Sequence, residues 1–135
     1  DEAATEALGA RLARQVPHGV VWLRGDLGAG KTTLVRGWLR ALGHAGAVKS
    51  PTYTIVEPYR FADTPVYHFD LYRLTDPEEL EMIGGRDYFD ENALCLVEWP
   101  QRAGAALPTP ALIVTLVAAN GGREVTLNFP ESGRA

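Results

Sequence analysis

Gly25, Gly30, Lys31 and Thr32 stand at the spacing G-x4-G-K-T within Gly25-Asp26-Leu27-Gly28-Ala29-Gly30-Lys31-Thr32-Thr33. Those residue types at that spacing suit one chemistry. Backbone N–H groups of a glycine-rich turn wrap phosphate oxygens, the lysine bridges the terminal phosphates, and the threonine hydroxyl ligates Mg²⁺. With glycine near 7% of average composition, a chain of this length shows the pattern by chance on the order of once in a few hundred cases. The plain alternative, a Gly-rich turn with an exposed lysine, is set aside because a strand pattern precedes the motif and a helix pattern follows it. Asp26, Gly28, Ala29, Gly30, Lys31, Thr32 and Thr33 are therefore expected to hold a nucleotide, with Lys31 also catalytic.

Such a site needs a carboxylate for Mg²⁺ or its water shell, because the ion keeps octahedral geometry and takes few protein ligands. Glu98 follows the apolar run Leu94-Cys95-Leu96-Val97, and Asp70 ends the alternating segment Val66-Tyr67-His68-Phe69. Both positions read as carboxyl ends of strands, where open α/β sheets collect ligands. Glu98 and Asp70 are both candidates to hold the metal or its water shell, and both are candidates to orient the attacking water. Their plain alternative is a helix-capping or surface-paired acid. Between them and the glycine loop lies Lys49-Ser50-Pro51-Thr52-Tyr53-Thr54, which reads either as a switch with Thr52 sensing the γ-phosphate or as an ordinary Ser-Pro turn. His68 reads as a packed strand residue rather than a base. Trp99 is suited to stacking on the nucleotide or simply to packing.

The elements that must position these groups are legible. Ala4, Leu8 and Leu12 recur at helical spacing before Pro17, giving an amphipathic first helix expected to cover the sheet. Val20-Val21-Trp22-Leu23 reads as a buried strand delivering Gly25, and Leu34, Val35, Trp38, Leu39 and Leu42 share a helical face closed by Gly43. Tyr53 to Phe61 and Pro65 to Tyr72 read as strands of a hairpin. Asp76-Pro77-Glu78-Glu79 carries a capping box ahead of Leu80, Met82 and Ile83, and Gly84-Gly85 ends that helix. Leu94 to Val97 should be a central strand buried on both faces. Leu112 to Val117 and Val125 to Phe129 flank Asn120-Gly121-Gly122 as a second hairpin.

Length and composition bound the rest. A chain of 135 residues suits one domain over residues 1–135. The formal net charge of −4 argues against tight direct binding of nucleic acid. Lys31 and Lys49 are the only lysines, and Cys95 the only cysteine, which excludes a multi-cysteine metal site. No apolar run approaches the roughly 20 residues of a membrane helix. The first residues carry no basic flank with a long apolar stretch, so the expected location is cytoplasmic. Without an Asn-Lys-x-Asp stretch to select guanine, ATP is favoured over GTP. No long insertion offers the lid of a small-molecule kinase.

Together the motifs closely resemble the bacterial TsaE family, also called YjeE. The resemblance rests on GDLGAGKTTLVRG (Gly25 to Gly37), VKSPTYTIVEPY (Val48 to Tyr59), VYHFDLYRL (Val66 to Leu74), DPEELE (Asp76 to Glu81) and LVEWP (Leu96 to Pro100). It implies an α/β fold, a P-loop NTPase-like three-layer sandwich with a mixed parallel and antiparallel sheet. It implies that Thr32 and Glu98 serve Mg²⁺, that the Ser50-Pro51-Thr52 loop is a switch, and that Asp70 and Trp99 matter for turnover. It also implies an ATPase of low intrinsic activity acting with TsaB and TsaD in threonylcarbamoylation of adenosine 37 of tRNA, with tRNA met only through the complex. The alternative function is a small P-loop kinase, with Asp70 as base and Arg73 as phosphate clamp. Gly84-Gly85 departs from the family pattern of one glycine followed by a bulky apolar residue, which implies a looser loop before Arg86.

Overall fold

The two continuous apolar runs become adjacent inner strands. In the computed structural model, which describes residues 1–26, 29–48, 55–61, 64–90, 92–119 and 121–130, β1 (Gly19–Arg24) and β4 (Leu94–Glu98) pair in parallel. All five residues of β4 are buried, because β4 has a strand on each side and a covered face above and below. β3 (Pro65–Asp70) runs parallel on its other edge, and β5 (Leu112–Ala119) runs parallel to β1. The hairpin partners β2 (Val56–Arg60) and β6 (Gly122–Asn128) close the sheet antiparallel, giving the order β2-β3-β4-β1-β5-β6. This mixed sheet is the expected one. The residues of the first hairpin's connection, Ala62 and Asp63, lie outside the described set, as do Tyr53, Thr54 and Asn120.

Strand alternation divides the core in two. Val21, Leu23, Leu94, Leu96, Leu112, Val114 and Leu116 pack under α1 (Glu2–Gln15) and α2 (Lys31–Ala41) through Leu12, Leu34, Val35, Trp38 and Leu39. On the opposite face Val20, Phe69, Cys95 and Val97 pack with Leu71, Leu74, Leu80, Ala103 and Leu107. Those last residues come from the loop after β3, from α3 (Glu78–Met82) and from the 3₁₀ turns after β4. The result is the expected three-layer sandwich. Among the described residues no helix is long and apolar enough to cross a membrane.

Two local readings need correction, and the third helix adds a detail. α1 buries Thr5, Gly9, Leu12 and Ala13, whereas Ala4 is exposed and Leu8 only half-buried. Its N-terminal half lies on α2 instead of the sheet, and small residues select that face. A Cβ on Gly9 would fall 2.3 Å from the Leu34 carbonyl oxygen, and one on Gly37 would fall 2.1 Å from that of Glu6. At the third helix the capping box forms as expected: Asp76 Oδ1 accepts from the Glu78 amide at 2.9 Å, and Glu79 Oε2 accepts from the Asp76 amide at 2.9 Å. The helix then stops after Met82, and Met82 and Ile83 point outward at 83% and 40% exposure, so Leu80 alone anchors it. Gly84-Gly85 does not open a loose loop. Gly85 begins α4 (Gly85–Tyr88) buried, where a Cβ would come within 2.7 Å of the Leu80 carbonyl oxygen.

The α1–α2 contact has a measurable consequence. Alanine at an open helical position gains about 1 kcal/mol over glycine, but overpacking a close contact costs typically about 1–3 kcal/mol. Gly37→Ala is therefore expected to lower the urea midpoint. A midpoint at or above that of the parent would show that the helices do not meet backbone to backbone.

Candidate functional site

β1, β3 and β4 end at the same level. Leu23 pairs with Glu98, and Glu98 with Asp70, so the chain leaves β1 for the glycine loop beside two carboxylates. Glu98 and Asp70 share the sheet face of Leu96 and Val66, the face under α2. The loop enters α2 through Gly30, whose φ of +104° is the left-handed geometry that glycine adopts without steric cost. Gly30 gives α2 no side-chain cap. First-turn amides of a helix have no acceptor within the helix, so this end of α2 favours an anion.

Lys31 heads α2 and is only 4% exposed. Its Nζ donates to the Gly25 carbonyl oxygen and lies 3.7 Å from the centre of the Trp99 ring, so the ammonium is folded back on its own loop. Burial holds it below the usual lysine range, while the carboxylates of Glu98, Asp70 and Asp26 pull the other way.

Glu98 is 3% exposed. Its Oε2 lies 2.6 Å from His68 Nε2, and Thr32 Oγ1 donates to the same oxygen at 3.4 Å. Glu98 is therefore neither a capping acid nor a surface-paired one. Asp70 Oδ1 accepts from the Tyr72 amide at 3.0 Å, a turn contact two residues ahead, and no helix starts there for it to cap. Burial pushes the Asp70 carboxyl above the usual carboxylate range and Glu98 adds to this, against the Tyr72 amide and Lys31. A threonine hydroxyl and two carboxylates make a hard oxygen set that fits Mg²⁺ shared with phosphate.

Trp99 has φ +59° and is the one non-glycine residue with positive φ among those described. A residue before proline is steered toward extended backbone, so this geometry before Pro100 costs about 1–3 kcal/mol. The ring sits on Lys31 and, tilted, on Tyr72 with centroids 4.9 Å apart. From the other side Arg123 of β6 reaches the loop. Its Nη1 donates to Thr5 Oγ1 at 3.2 Å, and a Cβ on Gly30 would lie 2.9 Å from its Nε.

The structure thus brings together Lys31, Thr32, Asp70, Glu98 and Trp99. Ala29 closes the loop by donating to the Asp26 carbonyl oxygen at 3.0 Å, and Thr33 is buried in the first turn of α2. Gly28 and Thr52, with the rest of residues 49–54, lie outside the described residues. Arg73 is exposed. Sequence reasoning undervalued His68, although its place two residues before Asp70, hence on the same strand face, was a usable signal. It also missed Arg123, for which no local pattern exists. Cys95 takes no part: it donates to the Tyr88 carbonyl oxygen at 3.2 Å, and burial pushes its thiol up to about 12.

Residues 1–125 match the family described as threonylcarbamoyl adenosine biosynthesis protein TsaE. A Haemophilus influenzae protein named tRNA threonylcarbamoyladenosine biosynthesis protein TsaE is 53% identical over 108 residues, covering 80% of this chain and 68% of the relative. The Bacillus subtilis protein of the same name is 43% identical over 111 residues, covering 82% and 69%. These matched stretches span about two thirds of the relatives' length. The crystal structure of Bacillus subtilis YdiB superposes with a TM-score of 0.78 at 32% identity, over 96% of this chain and 80% of that one. With a family model matching residues 1–125 and relatives 53% and 43% identical, the chain belongs to the TsaE family.

Proposed function

We propose that this chain is the ATP-hydrolysing component of the machinery that makes N6-threonylcarbamoyladenosine at position 37 of tRNA, working in the cytoplasm as a nucleotide switch on a TsaB–TsaD pair. The observation that carries the reading is the convergence of Lys31, Thr32, Asp70 and Glu98 at three aligned strand ends. The relatives' names supply the pathway. The net charge of −4 suits a protein that meets tRNA only through protein partners.

In this reading the loop amides and Lys31 bind the β- and γ-phosphates, and Lys31 exchanges the Gly25 carbonyl and the Trp99 face for phosphate oxygens. Thr32 and Glu98 hold Mg²⁺, which when bound neutralises charge across the phosphates. Glu98 is committed on Oε2 to His68 and Thr32. Asp70, with its raised proton affinity, therefore takes the attacking water, accepting its proton as the oxygen meets the γ-phosphorus. Lys31 stabilises the charge that moves to the leaving oxygen. The adenosine end extends along the hollow of about 210 Å³ lined by Gly25, Asp26, Ala29 and Thr115 to Ala118. Release of Trp99 from Lys31, with the loop at Thr52, is the signal read by the partners.

Three measurements test this. Phosphate release by the chain alone is expected at only about 10⁻⁴ to 10⁻² s⁻¹, the range of switch-type P-loop proteins without an activator. Adding TsaB and TsaD should raise it, and no increase would refute the switch. At ATP a hundredfold above its dissociation constant, Mg²⁺-ATP should stabilise the parent by about 2.7 kcal/mol. Lys31→Ala should lose that gain, and an undiminished thermal shift would remove the phosphate-loop assignment.

Asp70 offers a pH test in metal-free buffer without nucleotide. Its folded-state proton affinity is raised above the ordinary value of 3.8, so the folded form binds more protons and its stability falls as pH rises through that window. Asp70→Asn, which does not titrate, should match the parent in acid and exceed it in melting temperature at pH 8. It should also lose hydrolysis. A variant less stable than the parent at pH 8 would contradict the assignment of a desolvated acid.

A further inference from the structure

We infer that His68 is a positioning residue for the metal-side carboxylate, fixing Glu98 by a buried Nε2–H hydrogen bond. The inference rests on the reading of Glu98 as the acid that holds Mg²⁺ with Thr32. His68 is fully buried in β3, and it pairs in register with Leu96, two residues before Glu98 on the neighbouring strand. Its imidazole therefore reaches Glu98 from the floor of the site, 2.6 Å from Oε2. Its other nitrogen, Nδ1, is buried without a hydrogen-bond partner. A proton there would be an unsatisfied buried donor, so the tautomer with the proton on Nε2 is the one the surroundings accept, and it donates to Glu98.

Packing alone does not account for a histidine here. The same sheet face carries Val66, Leu94 and Leu96, all fully buried, and an apolar side chain at position 68 would match these neighbours without burying an unpaired ring nitrogen. What the imidazole adds is a donor on Glu98 Oε2 that solvent cannot replace, since Glu98 is itself only 3% exposed. The bond removes the carboxylate's freedom to swing and keeps Oε2 beside Thr32 Oγ1, 3.4 Å away. Partners of this kind, one shell behind the ligand, set metal affinity through orientation.

The test reads binding instead of turnover. Affinity for a fluorescent ATP analogue is measured across a Mg²⁺ titration and again in EDTA, for His68→Leu, His68→Gln, Glu98→Gln and the double variant His68→Leu/Glu98→Gln. His68→Leu should raise the Mg²⁺ concentration for half-maximal tight binding about 10- to 100-fold and leave affinity in EDTA unchanged. His68→Gln, whose side-chain amide can donate from a similar position, should recover most of that loss. In the Glu98→Gln background His68→Leu should add nothing, because it acts through Glu98. Parent-like Mg²⁺ dependence in His68→Leu, or an additive double variant, overturns the inference while leaving Glu98's role intact. Should His68→Leu not fold, His68→Gln decides: parent-like Mg²⁺ dependence supports the donor role, and a loss equal to that of Glu98→Gln overturns it. If Glu98→Gln itself leaves Mg²⁺ dependence unchanged, the reading of Glu98 fails and this inference falls with it.

Discussion

Everything at the candidate site depends on β4 being held in parallel register between β1 and β3. A strand buried on every side has no freedom to slip, because a shift of one residue would turn Leu94, Leu96 and Glu98 onto the face that holds Cys95 and Val97. The apolar run thus acts as a ruler. It sets Glu98 level with Leu23, the residue that hands the chain to the glycine loop, and level with Asp70 on the other side. The two hairpins then protect this parallel centre by supplying the outer strands at either edge of the sheet.

The price of that arrangement is a concentration of charge where solvent is scarce. Lys31, Glu98 and His68 are all buried, with Asp70 beside them. Each finds a partial substitute for water within the fold. Lys31 turns to a backbone carbonyl and an aromatic face, Glu98 to His68 and Thr32, and Asp70 to the Tyr72 amide. These are weaker or less complete partners than phosphate and a divalent cation. The strained backbone of Trp99 belongs to the same set of compromises, since its conformation puts the indole where the lysine needs a neighbour. A site built this way gains when an anion arrives.

How much was legible in the sequence follows from the range of each signal. Local patterns read true: the strand before and the helix after the glycine loop, the capping contacts at Asp76 and Glu79, the second hairpin and both buried strands formed where their patterns lay. Errors fell where distant packing chose between local options. The face of α1 turned because Gly9 and Gly37 let two helix backbones meet, and Gly84-Gly85 tightened the chain instead of loosening it because Gly85 packs against the Leu80 carbonyl at the start of a new helical turn.

The sequence by itself determined the elements and where the candidate residues lie along them, because the glycine-loop spacing, the strand-end acids and the helix signals are each written within a few residues. The tertiary structure alone decided which groups meet. His68 becomes the partner of Glu98, Arg123 the neighbour of Gly30, and Trp99 the cover on Lys31 only through strand register and hairpin pairing. Those are contacts between residues tens of positions apart, and their geometry is set by how a parallel sheet aligns its ends, which no local pattern encodes.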